Sequence, residues 1–598
     1  MILQALNEYY ERKPSLPRYG FAIKTIPYIL ILNPDGTPAS FETTYQGSGK
    51  NRQAQSFLVP LAVKRSVDID SNLLWDNPEY VLGVVLKGKK RSAKKTIEEV
   101  EKRINEQHEA FKKRIEDICF IQDKGLNAVK LFLQKENKIS LVRSLGGPWA
   151  DLIKEGANLS FKLTGDNCLV AERPAVVAAI KKNVDDIATS SVNNSNLCLV
   201  SGRKESIARK HSAIKGVIGA KTSGANIVSF NLDAFRSFNK KQGANAPIGN
   251  IGAFAYTTAL NDLLSKESKQ KMPVGDASTI FWSQKANVFE QEVIDFFGES
   301  PEDDPGRNVR AVESLFKSVH TGAFSPDDEK DKFYVLGLAP NSSRIAVRFW
   351  IVDTIRGMSE KICTHFSDTE IVIPIRKKDN WSRWLPLNAL LAATANETKY
   401  DNKKPNLVRF RNKYYDVKPN LEGDMMRSIF EGLPYPQTLL QGAIRRIRAE
   451  QDVTYPRAAL IKACINRSIR FKNPEIKEEL KMSLDKSNQN IGYRLGRLFA
   501  TLERIQIRKF TQKGGKEPNS TIRDRYYGSA SGTPVTVFGT LIRLSKHHLA
   551  GLENAGERIN FEKLLGEIMD GINDFPAYLG LDDQGRFAIG YYHQKNDK

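Results

Sequence analysis

The chain has 598 residues and carries 90 Lys and Arg against 69 Asp and Glu, a formal charge of +21. Hydrophobic residues at 40% and charged residues at 27% are those of a folded soluble chain rather than a disordered one. At roughly 150 residues per domain, the length predicts about three to four folding units. Five scattered cysteines, with no Cys-x-x-Cys pair, exclude a secreted disulfide scaffold and a thiolate zinc site.

The opening, MILQALNEYYERK, interrupts its apolar residues with Asn7, Glu8 and Glu11, unlike a signal peptide. No apolar stretch approaches the roughly 20 residues that span a bilayer. A soluble, cytoplasmic protein without membrane contact is expected. The charge surplus attracts polyanions, so nucleic acid is the expected partner.

IPYILILN is a continuous apolar run that stops at the turn Asn33-Pro34-Asp35-Gly36, and FETTYQ predicts a hairpin return. A cationic loop follows, Gly47-Ser48-Gly49-Lys50-Asn51-Arg52-Gln53. SNLLWDNPEYVLG sets Asn72, Asp76 and Asn77 around the apolar anchor Trp75. Amides at such positions can donate to minor-groove acceptors while nearby lysines hold phosphates; turn chemistry explains Asp-Asn-Pro equally well. EYVLGVVL predicts a strand ending at Leu86, before the basic run KGKKRSAKK (87–95), which reads as a phosphate-binding loop or a solvated face. A helix is predicted from Thr96, where Thr-Ile-Glu-Glu forms a capping box with Glu99. Short strands are expected at CLVSG (198–202), IVSFN (227–231) and FYVLGLAP (333–340), and an acidic surface loop at 299–306.

Beyond about residue 350 the pattern turns helical. TLLQGAIRRIRAEQ and AALIKACINRSIRF carry apolar stripes, and 485–490 reads as a hinge before a last helical block. The expected fold is α+β. It divides as 1–350, a mixed domain of short strands and helices; 351–481, a helical connecting region; and 482–598, an all-α bundle.

Segment 491–508 has the clearest pattern. Counted from Arg494 at 100° per residue, Ile491, Leu495, Leu498, Phe499, Leu502 and Ile505 fall between about 20° and 140°. Arg494, Arg497, Arg504 and Arg508 fall between about 280° and 360°. A one-sign arginine row suits a phosphate backbone; a solvated face is the alternative. Arg523 and Arg525, with Tyr526 and Tyr527, add groups that support single-strand stacking.

Signs of catalysis are missing. The loop GSGK lacks the phosphate-cradling pattern, because Thr44 stands where its first Gly belongs and Asn51 where Ser or Thr would hold magnesium. His547 and His548 are adjacent and diverge by about 100° on a helix. No Gly-x-Ser-x-Gly elbow occurs. Neither a catalytic residue, a metal site nor a cofactor is expected, although a metal-dependent nuclease built from distant carboxylates is the alternative reading.

Blocks along the whole chain resemble one family. MILQALNEYYER, LPRYGF, SFLVPLAVKRS and NLLWDN are similar to the opening of the large subunit of the subtype I-C CRISPR surveillance complex, Cascade. CLVSGRK, HSAIKGVIGAKTSGANIVSFN and NAPIG resemble its middle; YRLGRLFATLERIQ, TIRDRYYGSAS, RLSKHHL and YLGLDDQGRFAIGYYHQ resemble its end. The resemblance implies a bacterial antiviral protein without enzymatic activity. Its N-terminal domain would recognise the protospacer-adjacent motif in double-stranded target DNA and open the duplex, beside the guide RNA's 5′ handle. Its C-terminal bundle would resemble a small subunit and guide the displaced non-target strand during R-loop formation. Implied partners are the guide RNA, the backbone subunits, the guide-RNA-processing subunit, a helicase-nuclease, and a small subunit made from the same gene.

Within those roles, loop chemistry selects Asn72 and Asn77 for the motif's base edges and Lys50, Arg52, Lys87 and Lys89 for its phosphates, with Asn51 also assigned to motif recognition. The arginine row, with Arg523 and Arg525, is assigned to the displaced strand. Met482 is the expected internal start. Lys477, Glu478 and Glu479 have purine-only codons, and two codons separate them from Met482, the place of a bacterial ribosome-binding site.

Overall fold

The run IPYILILN forms β1 (Tyr28–Leu32), buried along nearly its whole length, as a continuous apolar strand should be. In the turn after it, Gly36 takes φ +76 against Leu131 and the Phe132 backbone, where a Cβ would clash. The chain returns as β2 (Pro38–Thr43), three residues earlier than the predicted FETTYQ strand. Tyr45–Gln46 pairs instead with Gln53–Ala54. The structure, a computed structural model, describes all residues except 48–51, 64, 66–68, 87–95, 119–120, 191–195, 302, 305, 322–329, 375–380, 402–406, 477 and 598, and the side chains of 183–190 and 513.

β3 (Trp75–Asp76) leads into a single helical turn, α1 (Pro78–Val81). The sequence pattern placed a strand here. Pro78 is set for a first helical position and Asn77 caps it, so local chemistry overrides the apolar run. α2 (Ile97–Glu116) begins at the expected capping box: Glu99 N donates to Thr96 Oγ1 at 3.2 Å and Thr96 N to Glu99 Oε2 at 3.1 Å. β4 (Leu159–Leu163) runs parallel to β1 with Tyr28 opposite Leu159, completing a four-stranded sheet in the order β2-β1-β4-β3. Residues 198–202 are the turn between the two-residue strands Asn196–Leu197 and Lys204–Glu205, and 227–231 form no strand.

Further along, β5 (Lys271–Val274), β6 (Ala277–Ser283), β7 (Lys332–Asn341) and β8 (Arg344–Thr354) form an antiparallel meander. β7 contains the predicted FYVLGLAP. After α3 (Ile355–Thr369) comes a small sheet of β9 (Asn396–Thr398), β10 (Leu407–Phe410) and β11 (Lys413–Asp416), in the order β9-β11-β10, inside the region expected to be helical. From Leu421 onward the described residues form only helices and their connections. These include α4 (Gln437–Glu450), α5 (Tyr455–Lys472), α6 (Ile491–Thr511), α7 (Ile522–Gly532), α8 (Phe538–Ala550), α9 (Ala555–Met569) and α10 (Leu581–Asn596). The fold is α+β.

By contacts the chain divides into two compact units, Leu3–Ser212 with Val228–Ala259, and Ala213–Ile227 with Leu260–Lys598. These boundaries differ from 350 and 481. In the second unit one apolar core runs from Val274 to Tyr592, so residues 482–598 share it with the helices before them. α10 sits at its centre. On one side α6 approaches so closely that a Cβ on Gly496 would strike the Phe587 carbonyl, and one on Gly590 the Tyr493 carbonyl. On the other side Gly585 lies against Leu440, Ile461 and Ile465.

Candidate nucleic-acid interface

In the first unit, the segment Ser71–Asn77 is braced around a buried carboxylate. Asp76 accepts from Asn72 N at 2.9 Å, from Asn77 N at 2.8 Å and from Arg65 Nη1 at 3.1 Å. The Arg65 guanidinium lies 4.0 Å from the Tyr80 ring and donates from Nε to the Asp70 carbonyl at 2.5 Å. Trp75 is buried, as expected of an anchor, and its Nε1 donates to the Pro60 carbonyl at 2.9 Å. Leu74 holds a left-handed φ of +64, and its carbonyl accepts from Ser160 Oγ at 2.9 Å.

This bracing changes the reading of the two asparagines. Asn72 is buried, and its Oδ1 accepts from Val63 N at 3.0 Å, joining two stretches of backbone. A base edge cannot reach it in this conformation. Asn77 is half-buried, and its Oδ1 accepts from Glu79 N at 3.0 Å and Tyr80 N at 3.4 Å, as a helix cap. Arg65, which organises the segment, stands eleven residues before Asp76, and no local pattern in the sequence marks it.

Arg52 lies 3.6 Å from the Tyr45 ring centroid and pairs with Glu155 at 3.2 Å. Glu155 also accepts from the Tyr28 and Tyr45 hydroxyls, at 2.8 and 3.1 Å. Burial, and then that hydrogen bond, pushes the Tyr45 hydroxyl above its ordinary range. Arg52 is therefore a positioned cation that stays part exposed. Lys50, Asn51, Lys87 and Lys89 lie outside the described residues, as does the end of the GSGK loop.

In the second unit, the arginine row on α6 is not an open stripe. Arg497 is 0% exposed; its Nε donates to Gln594 Oε1 at 3.0 Å and its Nη2 to Glu567 Oε1 at 2.9 Å. Arg494 is buried too, donating to Gln489 Oε1 at 2.5 Å and towards the Ile568 carbonyl at 3.5 Å. α9 and α10 cover this end of the helix, so these two arginines serve the interior. Arg504 and Arg508 lie further along and are exposed, Arg508 in a two-pronged pair with Glu557 at 2.8 and 2.7 Å.

Glu503 is also interior. It accepts from the Tyr591 hydroxyl at 2.5 Å and Thr521 Oγ1 at 2.8 Å. Arg523 is half-buried among Glu503, Asp524 and Asp452, at 3.8, 3.7 and 3.9 Å, whereas Arg525 is exposed. Tyr527 is no stacking platform: it packs against Phe499, Phe587 and Tyr591, and burial pushes its hydroxyl up. Tyr526 is half-buried.

One cationic face was overlooked. α8 contains no Asp or Glu and exposes Arg543, Lys546 and His547 along one side. The absence of acids in FGTLIRLSKHHLA was the available signal. Met482 is 48% exposed in the connection before α6, with its carbonyl accepting from Val372 N at 2.9 Å. Among the described residues, no group of three or more His, Cys, Asp or Glu is arranged to hold a metal ion, and no helix is long and apolar enough to cross a membrane.

Against known proteins, a family model described as CRISPR-associated protein (Cas_Csd1) matches residues 6–598. No curated protein matches the chain.

Proposed function

This chain belongs to the CRISPR-associated protein family Cas_Csd1, and from that premise we propose that it is the non-catalytic large subunit of a type I-C RNA-guided surveillance complex. The observation that carries this reading is the reach of the family match, residues 6–598. The charge of +21 supports a polyanionic partner. In such a complex the protein reads a short motif beside the target and base pairing reads the rest, a division of labour known from single-protein effectors.

The first unit recognises the protospacer-adjacent motif in duplex DNA and begins its opening. Lys50, Arg52, Lys87 and Lys89 hold phosphates there. The amide nitrogen of Asn77 remains the donor for base edges, Asn51 stands with Lys50 and Arg52 in motif recognition, and Asn72 is withdrawn from the base edge. In the second unit the exposed cations Arg504, Arg525, Arg543 and Lys546 track the displaced strand. The chain contacts the guide RNA's 5′ handle, the backbone subunits and the guide-RNA-processing subunit, and it recruits the helicase-nuclease. Met482 starts a separate small subunit, Met482–Lys598.

The test is reconstitution with guide RNA and partner subunits. Each phosphate-contacting lysine changed to Ala should weaken all duplexes alike and lower the salt slope by roughly one unit. Permanganate reactivity of the displaced strand should fall when the exposed arginines become Gln. Turnover of DNA or RNA that needs magnesium or manganese, and that a carboxylate substitution abolishes, would favour the nuclease reading instead.

A further inference from the structure

Within Val228–Ala259 of the first unit stands a side chain that folding does not account for. Phe238 is 93% exposed, more than any other large apolar side chain among the described residues. It occupies the first central position of the turn Ser237–Lys240, closed by a bond from Lys240 N to the Ser237 carbonyl at 2.9 Å. Phe238 and Asn239 have φ of +49 and +58, the left-handed pair of a type I′ turn. Gly, Asn and Asp predominate at such positions because a bulky side chain crowds its own backbone there.

The turn is held in place. Asn245 Oδ1 accepts from Ser237 N at 3.0 Å, while its Nδ2 donates to the carbonyls of Lys240 at 3.1 Å and Gln242 at 2.9 Å. Gln242 is itself left-handed, at φ +51. One asparagine thus clamps a strained backbone that keeps an aromatic ring in water. Strain that persists because its surroundings impose it is a pointer from geometry to function.

The charge around the ring indicates the ligand. Between Val228 and Ala259 the sequence carries Arg236, Lys240 and Lys241 and a single acid, Asp233, which pairs with Arg236 at 2.6 Å. A recess of about 130 Å³ opens beside the turn, lined by Arg209, Arg236 and Lys241 among others. Apolar groups line the same recess, Phe230, Phe235 and the 57% exposed Leu232, but the other residues of the turn that carries the ring are Ser237, Asn239 and Lys240. An exposed ring on a clamped turn, followed in the chain by the exposed Lys240 and Lys241, suits a nucleobase with its adjoining phosphates, with stacking on the ring and charge on the backbone.

We propose that Phe238 is a base-stacking residue, inserted against a base step of the target duplex where it opens, with Lys240 and Lys241 on the adjoining phosphates. This rests on the reading above that the chain engages duplex DNA, and it assigns that engagement to a residue.

The test compares assembled complexes carrying wild-type, Phe238→Ala and Phe238→Trp chains. Two targets are used, one fully paired and one pre-opened by mismatches beside the motif, both with 2-aminopurine at the first unpaired position. Phe238→Ala should open the paired target roughly ten-fold less well or worse, as loss of one stacked base implies. It should bind the pre-opened target within about two-fold of wild type, and Phe238→Trp should restore opening. Its melting temperature should match wild type, because the ring makes no core contact, so misfolding cannot mimic the result.

Opening by Phe238→Ala as efficient as wild type overturns the proposal, and so does equal loss on both targets. Failure of the Phe238→Ala chain to assemble, or to retain guide RNA, makes the ring a subunit or RNA contact and also overturns it. If the wild-type complex binds neither target, the parent reading falls with it; if wild type binds and opens while Phe238→Ala does so equally, only the stacking role falls.

Discussion

Replacing Arg497 by Gln separates the interior arginines of α6 from the exposed ones. The guanidinium is fully buried and bonded to Gln594 and Glu567. Removing one member of a buried charged pair costs about 3–5 kcal/mol when the other is left stranded in the interior. Glu567 is 43% exposed and can turn to water, so the cost drops towards about 3 kcal/mol. Gln594 stays buried and loses its donor, which keeps the figure from falling much further. At roughly 2.1 cal/mol/K per residue, a unit of about 350 residues unfolds with an entropy near 0.7 kcal/mol/K. The expected drop in Tm is therefore about 4 °C. Arg504→Gln on the same helix alters a surface side chain, worth within about 0.5 kcal/mol, and should move Tm by less than about 1 °C. Thermal unfolding of the two purified variants, followed by tryptophan fluorescence, measures both. Equal melting of Arg497→Gln and wild type, or an equal drop for both variants, would refute the burial argument.

The other predictions concern the first unit's brace, acid sensitivity and the internal start. Asn72→Ala should lower the first unit's stability by about 1 kcal/mol while leaving motif discrimination intact; lost discrimination at unchanged stability would return Asn72 to the base edge. Asn77→Ala should cost about 1 kcal/mol through its cap, read by the same melting assay. Burial pushes His365 and His593 down to about 3, so both stay neutral in the fold while the unfolded chain gains protons below about 6.5. Stability should fall as pH drops from about 6.5 towards 3, by at most about 1.4 kcal/mol per pH unit per histidine, and His593→Gln should flatten the slope; an unchanged slope in that variant contradicts the assignment. Recoding 477–479 synonymously and changing Met482 to Leu should abolish a short C-terminal polypeptide, and persistence of that species rules Met482 out. Made alone, Met482–Lys598 would uncover the side of α10 that Leu440, Ile461 and Ile465 cover, so it should melt below the parent chain or self-associate in sedimentation.

Local signals in the sequence were readable where they decide the outcome. The Thr96–Glu99 box, the buried β1 and β7 strands and the helices α4, α5 and α6 follow directly from caps and periodicity. Short-range chemistry outweighs the apolar run EYVLGVVL, where Asn77-Pro78 makes a helical turn of Pro78–Val81. The β10–β11 hairpin, inside the region expected to be helical, turns through Arg411 and Asn412 at φ +48 and +61, residues that carry no glycine signal. The arginine row failed for another reason. A helical wheel groups residues by face but does not say which faces are covered. The clue was present in Gly492 and Gly496, one turn apart, and in Gly585 and Gly590 on the helix they meet. Such small residues mark close helix crossing, and a helix pressed that tightly is central to its bundle rather than peripheral. The brace of Arg65 on Asp76 and the exposed Phe238 depend on backbone geometry that no spacing rule carries.

The most direct test of the account is binding of the assembled complex to target duplexes that differ only in the bases flanking the protospacer, with and without this chain. The account predicts that affinity depends on those flanking bases when the chain is present, and that the dependence disappears when it is left out. Equal affinity for every flank with the chain present, or undiminished discrimination without it, would contradict the claim that this protein reads the motif.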